Sequence, residues 1–265
     1  MKRIIVVTGA SSGMGKEFLL QIIEREKDVD EIWAIARRED RLIELKEKYN
    51  NKIVPLNLDL TNEKDLVKYK DKLKKEKVEI IILANCAGFG IFDHSENINT
   101  DIKLKMIDLN VKAPVAMIDY SLPYMKENSK IMNIASCAGF QPIPYINDYA
   151  ATKSFLLSYS RALNKELKYK NIHVLAVTPY WTKTEFFNRA IDHNKKEVVI
   201  NYNAMYDPKE VMKQAIKDLY NNKEISCYGK MNNFQRLLTK LLPHSLVMKV
   251  WMNQQKLDGT PNIRK

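Results

Sequence analysis

Arg3-Ile4-Ile5-Val6-Val7-Thr8-Gly9-Ala10-Ser11-Ser12-Gly13-Met14-Gly15 joins a run of branched apolar residues to a glycine turn and the start of a helix. The run does not alternate with polar residues, as expected for a strand covered on both faces of a parallel sheet. It is far shorter than a secretory signal and has no cleavage site, so a first strand is expected here. The glycines are spaced G-x-x-x-G-x-G, directly ahead of the amphipathic stretch Gly13–Arg25. Glycine lets the backbone turn tightly and approach a pyrophosphate. The helix N-terminus that follows offers free N–H donors and partial positive charge. A glycine triplet alone is modest evidence, and its place between a strand and a helix gives it weight.

The same alternation continues along the chain. Further strands are expected at Glu31–Ala36, Ile53–Asn57, Ile80–Asn85, Lys130–Ser136, His173–Thr178 and Glu224–Tyr228. Helices are expected at Arg41–Tyr49, Glu63–Lys75, within Thr100–Met125, at Ala150–Tyr169 and at Glu210–Tyr220. Asp207-Pro208 supplies an N-cap and a proline at the first helical position for the last of these. Strands alternating with helices imply βαβ units, hence an α/β fold: one domain over 1–265, with a doubly wound, mostly parallel sheet of about seven strands in the Rossmann manner.

The end of the second strand bears on nucleotide choice. An acidic residue there would take the adenosine 2′-hydroxyl of NAD, whereas arginine suits a 2′-phosphate. The sequence reads Ala34-Ile35-Ala36-Arg37-Arg38, with no acid. Guanidinium groups pair with phosphate through charge-assisted bonds, so NADP(H) is expected, with Arg37 the principal contact, Arg38 beside it and Ser11 adding a hydroxyl donor.

Tyr149 and Lys153 are four residues apart, with Ser136 thirteen residues before the tyrosine. On a helix the first two share a face. A free phenol, with a pKa of about 10, is a poor base near neutrality. A lysine cation beside it would lower that pKa and fit it for general acid–base work on an alcohol oxygen.

Together these residues resemble the short-chain dehydrogenase/reductase family in its ordinary single-domain form, from residue 3 to about 185. Thr8–Gly15 is similar to the family's cofactor turn, which assigns Gly9, Ser11, Ser12, Gly13, Met14 and Gly15 to the nucleotide. Asp59-Leu60 matches the acidic position implied to contact the adenine ring. Asn85-Cys86-Ala87-Gly88 resembles the N-N-A-G motif, with Asn85, Ala87 and Gly88 implied at the cofactor. Asn110 is implied to help hold a water in the proton relay. Pro179 and Thr182 resemble the segment beside the nicotinamide carboxamide. The resemblance implies that Ser136 and Tyr149 hold the substrate carbonyl, and that Lys153 tunes the phenol and binds the nicotinamide ribose. Two departures stand out: Cys86 in place of the second asparagine, and Pro179-Tyr180 where Pro-Gly is frequent.

Composition narrows the alternatives. No apolar run reaches the length of a membrane span. Cys86, Cys137 and Cys227 are odd in number and far apart, and His94, His173, His193 and His244 lack ligand spacing. Neither a disulfide framework nor a metal site is expected, and a reducing cytoplasm fits. The net charge of +11 comes without a nucleic-acid motif or a long run of like charge, so nucleic acid is not an expected partner.

The loop 183–206, with Phe186, Phe187, Ile191, Tyr202 and Tyr206, reads as a substrate loop. It joins Phe89, Phe92, Phe140, Ile143 and Tyr145 as pocket candidates. A bulky apolar alcohol or ketone, such as a hydroxysteroid or lipid-like ketone, is the expected substrate. The C-terminal extension 230–265 includes the amphipathic stretch Phe234–Lys256, broken by Pro243. It reads as a pocket cover, a subunit contact or a membrane-surface helix, with packing favoured over membrane contact, and a homodimer or homotetramer is expected. An alternative function is an NADP(H) sensor without turnover, for which the Ser136–Tyr149–Lys153 set would have no use.

Overall fold

A computed structural model describes residues 1–49, 52–191 and 198–259. Within the loop 183–206 the stretch 192–197, including His193, lies outside the described residues, as does 260–265 of the C-terminal extension. Seven strands form one sheet: β1 (Lys2–Thr8), β2 (Glu31–Ala36), β3 (Ile53–Asn57), β4 (Val78–Asn85), β5 (Lys130–Ile134), β6 (His173–Val177) and β7 (Ile225–Ser226). Their order is β3-β2-β1-β4-β5-β6-β7, and every neighbouring pair is parallel.

The helices that follow are α1 (Gly13–Arg25), α2 (Glu39–Lys48), α3 (Glu63–Lys75), α4 (Thr100–Ile107), α5 (Ala113–Ser121), α6 (Asn147–Glu166), α7 (Phe186–Ile191), α8 (Pro208–Tyr220), α9 (Lys230–Leu241) and α10 (His244–Gln255). Where sequence suggests one helical region over Thr100–Met125, a π-turn at Asp108–Lys112 separates α4 from α5. The last strand spans only Ile225–Ser226 of the expected Glu224–Tyr228, and Gly229 just beyond has a positive φ of 94°.

The unbroken apolar character of the strands follows from burial on both faces. Ile5, Val7, Ala34, Ile82, Met132 and Leu175 pack against α1 and α8, through Phe18, Leu19, Met212 and Leu219. The alternate residues Ile4, Val6, Trp33, Leu83 and Val174 pack against α3 and α5, through Leu66, Tyr69, Met117 and Ile118. Period-two alternation thus sends side chains to two apolar layers rather than to one layer and water.

The registers Thr8↔Asn85, Asn85↔Asn133 and Asn133↔Ala176 align the carboxyl ends of β1, β4, β5 and β6 along one edge. The strand order reverses between β1 and β4. Loops leaving those two strands diverge there and open a crevice, the usual ligand position in such sheets.

Candidate active site

The crevice is held open by its own backbone. Thr8 Oγ1 accepts hydrogen bonds from Cys86 N (3.0 Å) and Ala87 N (3.1 Å), tying the loop after β1 to the loop after β4. Gly9 has φ 67°, and a Cβ there would sit 2.8 Å from Ala87 N. At Gly15 a Cβ would fall 2.3 Å from Gly9 O, so the first turn of α1 can pack on the strand end only without a side chain.

Ser11, Ser12, Gly13 and Met14 complete this wall, and Asp59, Leu60, Ala87 and Gly88 stand across from it. Asp59 is partly engaged already, its Oδ1 accepting from Thr61 N and Thr61 Oγ1. Asn85 departs from its expected role. It is buried below the crevice, where its Nδ2 donates to Asn133 Oδ1 and Asn133 Nδ2 donates in turn to Ser160 Oγ. It therefore braces β4, β5 and α6. Cys86 takes its place in the lining.

Both arginines line the crevice. Arg37 is exposed, whereas Arg38 donates to Ser12 Oγ at 2.6 Å and to Ser11 Oγ at 3.3 Å. Strand alternation explains the choice: Arg38 follows Ala34 and Ala36 onto the α1 side, where the glycine turn lies, while Arg37 follows Trp33 and Ile35 to the other. Arg41, from the first turn of α2, joins it. Glu185 bridges the two, 2.6 Å from Arg38 Nη1 and 2.6 Å from Arg41 Nη1. Hydrogen bonds from both guanidinium groups hold its carboxyl below the ordinary carboxylate range.

Next to the crevice, Ser136 and Tyr149 meet at the floor of a pocket, with Pro179 and Thr182 in the same wall. Ser136 caps a short turn, its Oγ accepting from Ala138 N at 3.1 Å, and it shares the pocket wall with Tyr149. Lys153, one turn along α6, is buried, and its Nζ donates to Ile134 O at 2.6 Å. The ammonium lies 5.7 Å from the Tyr149 ring centroid.

Burial pushes the Tyr149 phenol above its ordinary value, against a downward pull from Ser136. Burial also brings Lys153 down to about 8. The expected lowering of the phenol by Lys153 does not appear: desolvation sets the direction, and Tyr149 stands as a proton donor near neutrality. Asn110 sits in the π-turn. Its Nδ2 donates to Phe89 O (2.9 Å) and Thr152 Oγ1 (3.0 Å), and its Oδ1 accepts from Phe89 N (3.1 Å). Its side chain clamps the loop after β4 to α6, beside Lys153. π-turns recur at functional sites because they re-aim the backbone locally.

The pocket walls differ from the sequence reading. Ile143 lines the pocket, but Phe92 packs behind Tyr149 (6.4 Å between ring centroids) and Tyr145 packs on His94 (5.6 Å). Phe89 faces the crevice, and Phe140 belongs to a separate apolar cluster. Trp181, Phe186, Phe187, Phe234, Leu238 and Trp251 are among the apolar side chains that line it. Helix α9 is moored by Asn232 Nδ2 donating to Thr178 O (2.7 Å), and α10 by Trp251 Nε1 donating to Pro144 O (3.0 Å). Gln255 Oε1 accepts from Ile200 N and Asn201 N, both at 2.9 Å. Among the described residues no His, Cys, Asp and Glu cluster could hold a metal.

With this geometry established, residues 3–195 match the family model described as short chain dehydrogenase. The chain belongs to the short-chain dehydrogenase family. It is 36% identical over 191 residues to an NADP-dependent 3-hydroxy acid dehydrogenase of Schizosaccharomyces pombe, covering 69% of this chain and 73% of that one. It is 28% identical over 272 residues to the very-long-chain 3-oxoacyl-CoA reductase of Homo sapiens, covering 98% and 82%. A solved structure, the closed form of a serine dehydrogenase complexed with NADP+, shares 28% identity and a TM-score of 0.69 over 81% of this chain and 88% of that one. A short-chain dehydrogenase from Sphingobium yanoikuyae in complex with NADPH shares the fold at TM-score 0.75 and 24% identity, covering 99% and 97%.

Proposed function

We propose that this oxidoreductase is an NADP(H)-dependent carbonyl reductase acting on a secondary alcohol and ketone pair borne on a long apolar substrate. The observation that carries the reading is that Ser136 and Tyr149 line one pocket together with Trp181, Phe186, Phe187, Phe234, Leu238 and Trp251. The names of two relatives, a 3-hydroxy acid dehydrogenase and a 3-oxoacyl-CoA reductase, favour a 3-oxoacyl chain among such substrates.

The residues of the crevice fit the nucleotide. The close approach at Gly9 and Gly15 brings the start of α1 against the crevice, where a helix N-terminus offers N–H donors, and Arg38, Arg41, Ser11 and Ser12 form a donor set suited to a phosphate. The "NADP" in the names of the S. pombe relative and the serine dehydrogenase complex supports the phosphorylated form. When bound, the nicotinamide supplies or accepts hydride at the carbonyl carbon.

Ser136 and Tyr149 donate hydrogen bonds to the substrate oxygen and stabilise the charge that develops on it. Tyr149, protonated because its hydroxyl is buried, delivers the proton. Lys153 adds a nearby positive charge that eases loss of that proton, and Asn110 fixes the loop beside it. Steady-state NADPH oxidation against steroid ketones, 3-oxoacyl thioesters, sugars and quinones tests the proposal. Turnover confined to long apolar ketones is the expected outcome. Tyr149→Phe should bind NADPH normally yet lose about 10²–10⁴-fold in kcat, and unchanged turnover would remove the phenol from the chemistry.

A further inference from the structure

Helices α9 and α10 present an outward apolar face in addition to the one that covers the pocket. Phe234 is 55% exposed, Leu237 54%, Leu241 70%, Leu246 45% and Val250 46%; with Met231 and Leu242, seven of the sixteen exposed large apolar residues among those described fall in this one hairpin. Phe234, Leu237 and Leu241 follow i, i+3, i+7 and form one stripe along α9, while Leu246 and Val250 lie one turn apart on α10. Contiguous exposed apolar surface of this kind marks a contact with something other than water.

Charge identifies the contact. No aspartate or glutamate occurs between Glu224 and Asp258, whereas Lys230, Arg236, Lys240, Lys249 and Lys256 fall within that span. Two copies joined through this hairpin would each bring exposed lysines (Lys230, Lys240, Lys249 and Lys256) and no carboxylate. An anionic lipid surface complements both properties, because headgroups take the lysines and the acyl boundary takes the leucines. Among the described residues no helix is long and apolar enough to cross a membrane, so the hairpin would lie in the surface. Continuity with the pocket adds a second observation. Met231, Phe234, Leu242 and Val250 line the pocket and are exposed at the same time, so its apolar lining runs out into the stripe.

We infer that the outer face of the α9–α10 hairpin docks on an anionic bilayer, with the pocket mouth against the lipid. The full-length protein is tested by sedimentation with phosphatidylcholine vesicles and with vesicles that also contain phosphatidylserine, at low and high salt. Expected is pelleting with the phosphatidylserine vesicles, weakened by salt. Leu237→Glu with Leu241→Glu should partition at least about 100-fold more weakly, since two leucines leave the boundary and two anions enter it. Both side chains point outward, so the paired variant keeps its melting temperature and its NADPH binding. The salt and lipid dependence of the unaltered protein is a readout that needs no variant.

Three results would overturn the inference. One is protein left in the supernatant with both vesicle types, and another is equal pelleting of the paired variant. The third is a dimer in sedimentation velocity that the paired substitution dissociates, which would assign the face to a second copy. None of these measurements depends on turnover, so they stand apart from the identity of the substrate.

Discussion

The glycine turn of the crevice fits its neighbours main chain to main chain, whereas the pocket beside Tyr149 is walled by side chains from separate stretches of sequence. At Gly9 and Gly15 an added Cβ would fall 2.8 and 2.3 Å from neighbouring backbone atoms, so no other residue type fits without a shift. At the pocket, Trp181 is held among Phe92 (5.9 Å), Phe187 (5.9 Å), Tyr202 (5.2 Å) and Trp251 (6.5 Å), ring against ring. Backbone fit admits one residue at each point. Ring packing admits several, at the expense of small shifts in shape. The first region is therefore built for a constant ligand and the second for a variable one.

The largest effect should come from forcing a side chain into the backbone-built region. Gly15→Val is expected to cost at least about 3 kcal/mol of stability, the upper range for overpacking, and to abolish NADPH binding by fluorescence titration. Phe187→Leu in the ring-built region should leave NADPH binding intact and change only the KM for ketone. Comparable losses of nucleotide binding in both would erase the contrast.

A smaller effect is expected at the arginines. Arg38→Ala should weaken NADPH relative to NADH by about 10–150-fold, the equivalent of a charge-assisted hydrogen bond worth about 1.5–3 kcal/mol. Arg37→Ala should change that ratio little. Glu185→Gln should tighten NADPH, because an internal carboxylate no longer competes for the same guanidinium groups. Isothermal titration of the three variants with both nucleotides decides the matter, and a dominant Arg37 effect would restore the order expected from sequence.

The smallest effect concerns pH. Burial lowers Lys153 to about 8, so the ammonium is present below that pH and lost above it. The kcat/KM for reduction should fall several-fold as pH rises through about 8, and the fall should be absent in Lys153→Met, whose activity is low throughout. kcat/KM is the proper readout because it reports groups of the free enzyme.

Sequence made the backbone-built region legible because its constraints are local. A strand, a glycine spacing and a helix start lie within thirteen residues, and the four-residue step from Tyr149 to Lys153 lies within one helix. Seven parallel strands were legible for the same reason, each being a short apolar run between helices. Arg41 and Glu185 were not legible, since their meeting depends on the chain returning over the crevice 144 residues later. Trp181 carries no motif of its own and gains meaning only when α10 brings Trp251 onto it. The choice between Arg37 and Arg38 was in principle readable from strand parity with Ala34 and Ala36. The raised phenol and lowered ammonium depend on burial, for which residue spacing is no guide.

The moorings of α9 and α10 have one property in common. Asn232, Trp251 and Gln255 all bind peptide groups: Thr178 O, Pro144 O, and Ile200 N with Asn201 N. A peptide group is the same whatever residue carries it. The hairpin can therefore keep its seat while residues beneath it are exchanged, and the shape of the chamber can drift without unfastening its roof. The shape of the pocket is thus separable by mutation from the attachment of the hairpin over it.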